Sequence, residues 1–133
     1  MHISDYFDKV NNLIARYSSA GLIVSSTINF DARSDEQGYI RADATFVDRS
    51  FLHFREFISI ERGKAEKLSY AYQYQSEDNQ LIFRYDNASH HPALGFLHHK
   101  HTPRRIIQVT PPSLEDVLAE ILHRYQDVYL VSM

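Results

Sequence analysis

Apolar residues recur at two different periods along this chain, and the change of period lays out a fold. Phe7, Val10, Ile14 and Tyr17 are spaced by three and four, which places them on one face of a helix. Ser4 is its expected N-cap, and Ser18-Ser19-Ala20-Gly21 ends it. From Leu22 onward the period falls to two, the repeat of a strand with one buried face. Leu22, Val24, Ile28 and Phe30 share one side of a first strand. After the turn Asp35-Glu36-Gln37-Gly38, a second strand from about Tyr39 to Asp48 buries Ile40, Ala42, Ala44 and Phe46 and exposes Arg41 and Asp43. A third, about Phe51 to Glu61, turns Leu52, Phe54, Ile58 and Ile60 to the core, with Glu56 in the middle of that apolar row.

Arg62-Gly63-Lys64 predicts the next turn, and Leu68, Tyr70, Tyr72 and Tyr74 alternate as a fourth strand. Ser76-Glu77-Asp78-Asn79 leads into a fifth, Gln80 to Tyr85, with Leu81, Phe83 and Tyr85 on one face and Arg84 and Asp86 on the other. Consecutive strands joined by short turns predict an antiparallel meander. Residues 87–103 read as an irregular loop, a length that is usually functional in a compact domain, followed by a short strand from Arg105 to Val109. Pro111-Pro112 precede Ser113, with Asp116 three residues on as a capping-box acid. Leu114, Val117, Leu118, Ile121, Leu122 and Tyr125 then form a helical stripe. The pattern predicts one α+β domain over residues 1–133. It has an N-terminal helix, an antiparallel sheet of five or six strands, and a C-terminal helix packed across one sheet face. Val128 to Val131 reads as a frayed tail, an edge strand or a subunit contact.

Composition narrows the chemistry more than the fold. The 133 residues contain no cysteine, which removes disulfides, thiolate metal sites and cysteine nucleophiles. No run approaches the roughly 20 apolar residues needed to cross a bilayer, and the N-terminus lacks the basic and apolar regions of a signal peptide. A cytoplasmic protein without a membrane partner is expected. A pI near 6.2 argues against a DNA-coating role.

Charge and histidine are both concentrated in one place. Five of the eight histidines, His90, His91, His98, His99 and His101, fall within twelve residues. From Arg84 to Arg105 four Lys/Arg face one Asp, a local charge of +3 that leaves −6 on the rest of a chain whose total is −3. Such separation points to an anionic ligand. Three chemistries fit. An acid–base site for cleaving RNA needs a base for the 2′-OH, an acid for the leaving 5′ oxygen, and cations around the phosphorane. His91, His99 and His101 supply the first two roles and Arg84 and Lys100 the third. Asp86 or Glu56 would orient an imidazole, with Tyr85 and Phe96 stacking bases. A metal site would use His99 and His101, which share a face if extended, completed by Asp86, His90 or His91. These donors suit Zn, Ni or Mn, but no familiar ligand spacing is matched, so no stoichiometric zinc and no cofactor is expected. A third possibility is a surface that binds RNA, nucleotide or protein without catalysis. The bland alternative is that Arg84 and Asp86 pair with each other and the histidines bond backbone carbonyls. His53 and His123 stand alone and read as solvated or locally bonded.

The run Leu81-Ile82-Phe83-Arg84-Tyr85-Asp86-Asn87-Ala88 with His90-His91-Pro92, then Phe96-Leu97-His98-His99-Lys100-His101, then Pro112-Ser113-Leu114, resembles the TumE family. The similarity extends over nearly the whole chain, including Tyr72-x-Tyr74 and Glu56. Leu97 and Ser89 stand where that family favours proline. The family is described as the toxin half of toxin–antitoxin modules in bacteria and archaea. The resemblance therefore implies a toxin and a cognate antitoxin, typically a helix-turn-helix protein. Ribonuclease activity is an inference from the residues, not from the resemblance.

Together these readings predict a small toxin acting on RNA as a metal-independent endoribonuclease. A non-catalytic RNA-, nucleotide- or antitoxin-binding module is the alternative, and a metal-dependent hydrolase the third reading. Two structural expectations accompany them. Glu56, a carboxylate in an apolar row, needs a cationic or hydrogen-bonding partner, for which Arg84 is the first choice. The Tyr70, Tyr72 and Tyr74 row, or the tail from Val128, is expected to stay partly exposed and to support a homodimer.

Overall fold

A computed structural model describes residues 1–88 and 97–131, with side chains through Gln126. Helix α1 (Ile3–Ser19) is followed by β1 (Ile23–Ala32), β2 (Gln37–Phe46), β3 (Phe51–Glu61), β4 (Lys64–Gln75), β5 (Leu81–Asp86), β6 (His99–His101), β7 (Ile106–Gln108) and α2 (Leu114–Val131). The strands form one sheet in the order β1 to β7, each antiparallel to the next. The meander is as expected, but it has seven strands rather than five or six. The added strand is β6, a three-residue segment inside what reads as a loop, because a run of His and Lys carries no apolar alternation.

Both helices lie on the same sheet face. Val10 and Ile14 of α1 and Leu114, Val117, Leu118 and Ile121 of α2 join Ile40, Ala42, Leu52, Phe54, Tyr72, Tyr74 and Phe83 in one buried cluster. The ends of the helices are capped as local chemistry dictates. Ser113 Oγ accepts the Asp116 N–H at 3.0 Å while Asp116 Oδ2 accepts the Ser113 N–H at 3.0 Å, the reciprocal pair read from the sequence. At α1 the helix begins two residues earlier than expected: His2, not Ser4, precedes it, and Asp5 Oδ2 accepts the His2 N–H at 2.7 Å. Gly38 on β2 lets α1 approach closely, since a Cβ there would lie 2.6 Å from Phe7 and 2.9 Å from Ile3. Arg62 and Gly63, with φ of 52° and 76°, form the two-residue turn between β3 and β4.

Three register shifts overturn the strict alternation, one of them between Tyr74 and Gln75 on the β4–β5 pair. The β1–β2 register shifts between Ile23 and Ser25, so Ile23 is buried and Val24 is exposed, not the reverse. The β3–β4 register shifts as well: Phe57 faces Ser69 and Ile58 faces Lys67, leaving Leu68 as the extra residue of a bulge. Leu68 therefore points outward, while Lys67 turns into the helix-covered face.

That bulge resolves the problem of Glu56. Glu56 is 1% exposed and accepts hydrogen bonds from Tyr6 Oη at 2.5 Å and from Tyr72 Oη. Lys67 Nζ donates to Tyr72 Oη at 2.6 Å and to the Pro112 carbonyl, and stands 4.7 Å from the Tyr70 and Tyr72 rings. The network ties α1, β3, β4 and the start of α2 together. Arg84 takes no part in it, because β5 alternation puts Arg84 on the opposite face of the sheet. The Tyr70, Tyr72 and Tyr74 side chains, 0–3% exposed, belong to the core and offer no dimer surface. Val128 to Val131 continues α2, and its side chains lie outside the described residues.

Candidate functional site

The cross-strand register brings four of the singled-out residues onto the helix-free face of the sheet. Asp86 is the last residue of β5 and lies opposite His99 of β6, while Arg84 lies opposite His101. All four side chains project from the same face, because they alternate with Tyr85 and Lys100, which project from the other. The Asp86 carboxylate is the hub. Its Oδ2 is 3.0 Å from Arg84 Nε and 3.3 Å from His101 Nε2; its Oδ1 is 3.4 Å from His99 Nδ1 and accepts the Ala88 N–H at 3.0 Å. Burial opposes ionisation of Asp86, yet the Ala88 N–H, the Arg84 guanidinium and His101 outweigh it and hold the carboxyl below its ordinary range. The pairing of Arg84 with Asp86 is the one that the bland reading expected.

Asp86 and His99 are buried, whereas Arg84 and His101 keep 28% and 17% of their side chains exposed. Arg84 is held on its other side by Gln73, whose Oε1 accepts from Nη1 at 2.7 Å. Arginine carries five N–H donors, so this leaves three for an anion. The strand end is fixed by the next residue. Asn87 accepts the Tyr70 N–H and donates to the Leu68 carbonyl, both at 3.0 Å, closing the ladder where the β4 bulge opens it. His98, just before β6, stacks on Tyr70 with ring centroids 5.8 Å apart, and its Nδ1 lies 2.9 Å from Tyr70 Oη. Burial first, then Asp86 and Tyr85, push the Tyr70 hydroxyl up to about 12.

Asp86, His99 and His101 also present one donor atom each within 4.8 Å of one another, a set of two imidazoles and one carboxylate able to hold a divalent metal. The fold thus supplies the third donor that sequence spacing leaves unfixed.

A family model for the toxin TumE matches residues 10–128. The chain belongs to the TumE toxin family. No curated protein and no solved structure matches it. Membership in TumE makes this chain a toxin, and such a toxin implies an antitoxin as partner. Among the described residues no helix is long and apolar enough to cross a membrane.

Not every residue singled out in this TumE-family chain joins the cluster. Lys100 projects to the helix-covered face, where its Nζ donates to Glu120 Oε2 of α2 at 2.8 Å. Tyr85 donates to the other oxygen of Glu120 at 2.5 Å. Burial disfavours the Lys100 charge, but Glu120 and Tyr85 outweigh it and raise its pKa. Glu56 is also on that face, in the core network. His90, His91 and Phe96 lie outside the described residues. His53 bonds Asp43 across the strands, locally as expected. Sequence reasoning overlooked Gln73, Asn87 and the His98–Tyr70 contact. Only Gln73 carried a signal, as the polar residue between Tyr72 and Tyr74 on the same face as Arg84.

Proposed function

We propose that this toxin acts on RNA as an endoribonuclease, with His101 as a proton-transfer group oriented by Asp86 and Arg84 as the phosphate-binding cation. One observation carries the reading: a single carboxylate lies within 3.4 Å of one guanidinium and two imidazoles. Asp86 stands 3.3 Å from Nε2 of His101 and orients the ring, and proton exchange with substrate is assigned to its Nδ1. The 2′ oxygen attacks phosphorus as its proton passes to His101. The P–O5′ bond breaks, and the leaving oxygen takes a proton from a second acid, for which the sequence offers His91. The products are a 2′,3′-cyclic phosphate and a 5′-hydroxyl. Arg84 stabilises the charge on the phosphorane oxygens. His99, at 1% exposure, holds the buried side of Asp86 rather than touching substrate. The antitoxin, typically a helix-turn-helix protein in this family, would then act by covering this basic site.

The test is purified protein with single-stranded RNA in EDTA, with product ends identified. Cyclic-phosphate ends are expected, with the rate reduced about 10²–10⁴-fold in His101→Ala. A second reading, metal-dependent hydrolysis, is favoured by the donor set of Asp86, His99 and His101. Cleavage abolished by EDTA and restored by a divalent ion would establish that reading instead. Binding without cleavage under either condition would leave a non-catalytic RNA-binding toxin.

A further inference from the structure

The helix-free face of the sheet carries a second feature, on β2 and β3. Tyr39 lies opposite Phe57, and their rings stack at 4.4 Å and 19°. The Arg33 guanidinium covers Tyr39 at 4.9 Å. The result is a ladder of Arg33, Tyr39 and Phe57 that presents its last ring face toward β4. There Phe57, half-buried, lies opposite the short side chain of Ser69, and both line the same concavity. Tyr39 stays 42% exposed, although an aromatic residue of that size is normally buried unless it has a partner. The next row along the strands is Arg41 opposite Arg55, two like charges that repel across β2–β3. Both are exposed, and among the described residues neither has an acidic side chain within ion-pair distance. Tyr39, Arg41, Arg55, Phe57 and Ser69 line one concavity of about 410 Å³, with Arg33 at its rim neutralised by Asp31 at 3.2 Å, so Arg41 and Arg55 are its uncompensated cations.

Register connects this concavity to the candidate site. The row Arg41–Arg55–Ala71–Asp86–His99 runs straight across the sheet from β2 to β6. At roughly 4.8 Å per strand, Arg55 is about 10 Å from Asp86. The adjacent row passes through His53, Gln73, Arg84 and His101.

We infer that this face is the substrate track for an unpaired stretch of RNA: a base stacks on Phe57 above Ser69, and Arg41 and Arg55 hold the flanking phosphates. The inference rests on the RNA reading proposed above and names the substrate class, single-stranded RNA. Aromatic rings favour nucleic acid over an acidic peptide, since every base has a π-face, and a duplex keeps its bases stacked on one another. Two arginines held in mutual repulsion are relieved by an anion between them. Ala71 and Ser69 keep the floor low between the stacking position and Arg84.

The test uses a short fluorescein-labelled oligoadenylate with 2′-O-methyl riboses, which cannot be cleaved by 2′-oxygen attack, followed by anisotropy. Phe57→Ala should weaken binding about 10-fold, and Phe57→Trp should restore it. With cleavable RNA, the same Phe57→Ala change should raise KM and leave kcat within about twofold. The double variant R41A/R55A should weaken binding and reduce the slope of log K against log salt by about 1.4, two phosphate contacts at about 0.7 each. It should melt no lower than wild type, because a like-charge pair has been removed, which separates a binding role from a structural one. Wild-type cleavage of RNA with unchanged binding by Phe57→Ala overturns this inference alone. Equal competition by an RNA duplex, or by polyglutamate, also overturns it, the latter assigning the face to an acidic protein. Absence of any RNA binding or cleavage by the wild type overturns the RNA reading itself.

Discussion

Replacing Glu56 by alanine should be among the most damaging single changes in the chain, and for stability rather than chemistry. The carboxylate is 1% exposed and accepts from two tyrosine hydroxyls, while Lys67 reaches it through Tyr72. Glu56→Ala leaves the Tyr6 and Tyr72 hydroxyls without their acceptor and the Lys67 ammonium without its counter-charge. Each orphaned buried hydroxyl costs about 1–3 kcal/mol, and Lys67, whose charge Glu56 favours without a direct ion pair, adds to that loss. These terms share one network and do not add, so the expected loss is about 3–5 kcal/mol, a large part of the usual 5–15 kcal/mol total. Glu56→Gln keeps the shape and one acceptor oxygen and should cost about 1–2 kcal/mol. The apolar double variant Glu56→Leu with Lys67→Met removes both charges but still orphans the two hydroxyls, so it should cost about 2–4 kcal/mol, less than alanine because no charge is left without its counterpart. Urea unfolding followed by far-UV circular dichroism measures all three, with equal m-values licensing the comparison. An alanine variant within 1 kcal/mol of wild type would refute the argument. So would a folded Leu/Met variant lacking an RNA cleavage that the wild type shows, because Glu56 and Asp86 lie on opposite sheet faces.

Lys100→Met should lose only about 0.5–1 kcal/mol, the part-buried pair with Glu120 being its main contact, and should lower the proposed RNA cleavage only as far as β6 loses its register; a cleavage defect that persists on cooling would place Lys100 in the site. The depressed pKa of Asp86 means that its stabilisation is present above the ordinary carboxylate range and lost as pH falls through the folded value. Asp86→Asn should therefore flatten the stability curve below about pH 4, measured by urea titration, and an acid limb as steep as wild type would contradict this. Tyr6, Tyr70 and Tyr72 all have raised pKa values, burial being the first cause, so the folded state retains protons that the unfolded state loses above about pH 10 and stability falls there. Lys67, lowered by burial, acts in the opposite sense just below its ordinary value, leaving a shallow maximum before the alkaline limb. Tyr6→Phe should make that limb less steep in thermal melts across pH 9–11, and an unchanged slope would remove Tyr6 from the linkage.

The core of this fold was legible because period-two alternation survives wherever strands pair without interruption. Ile40, Ala42, Ala44 and Phe46 of β2, and Leu52, Phe54, Ile58 and Ile60 of β3, face inward as their pattern requires. The exceptions arise at bulges, which depend on pairing and leave no trace in one strand's own sequence. One extra residue at Leu68 made a lysine internal and a leucine external, and so hid the partner of Glu56. Strand β6 was illegible for a different reason: its three residues stay in place through β5 and β7, and their side chains advertise chemistry rather than burial. His99, His101, Arg84 and Asp86 could be named from composition and alternation, but their convergence depends on the pairing of Asp86 with His99, which only the sheet supplies.

The alternation within His99-Lys100-His101 has a consequence for how this toxin tolerates change. Two imidazoles go to the helix-free face and serve Asp86, while the lysine between them goes to the opposite face and anchors β6 to α2 through Glu120. A one-residue slip of β6 would exchange these roles, presenting an ammonium to Asp86 and burying imidazoles against Phe83 and Tyr85. The Lys100–Glu120 pair and the Tyr85–Glu120 bond therefore fix the register on which the Asp86 cluster depends, although neither touches it. Residues that hold the register should affect activity only through the population of correctly paired β6. Their defects should be relieved by low temperature or by saturating RNA, whereas those of His101 and Arg84 should not.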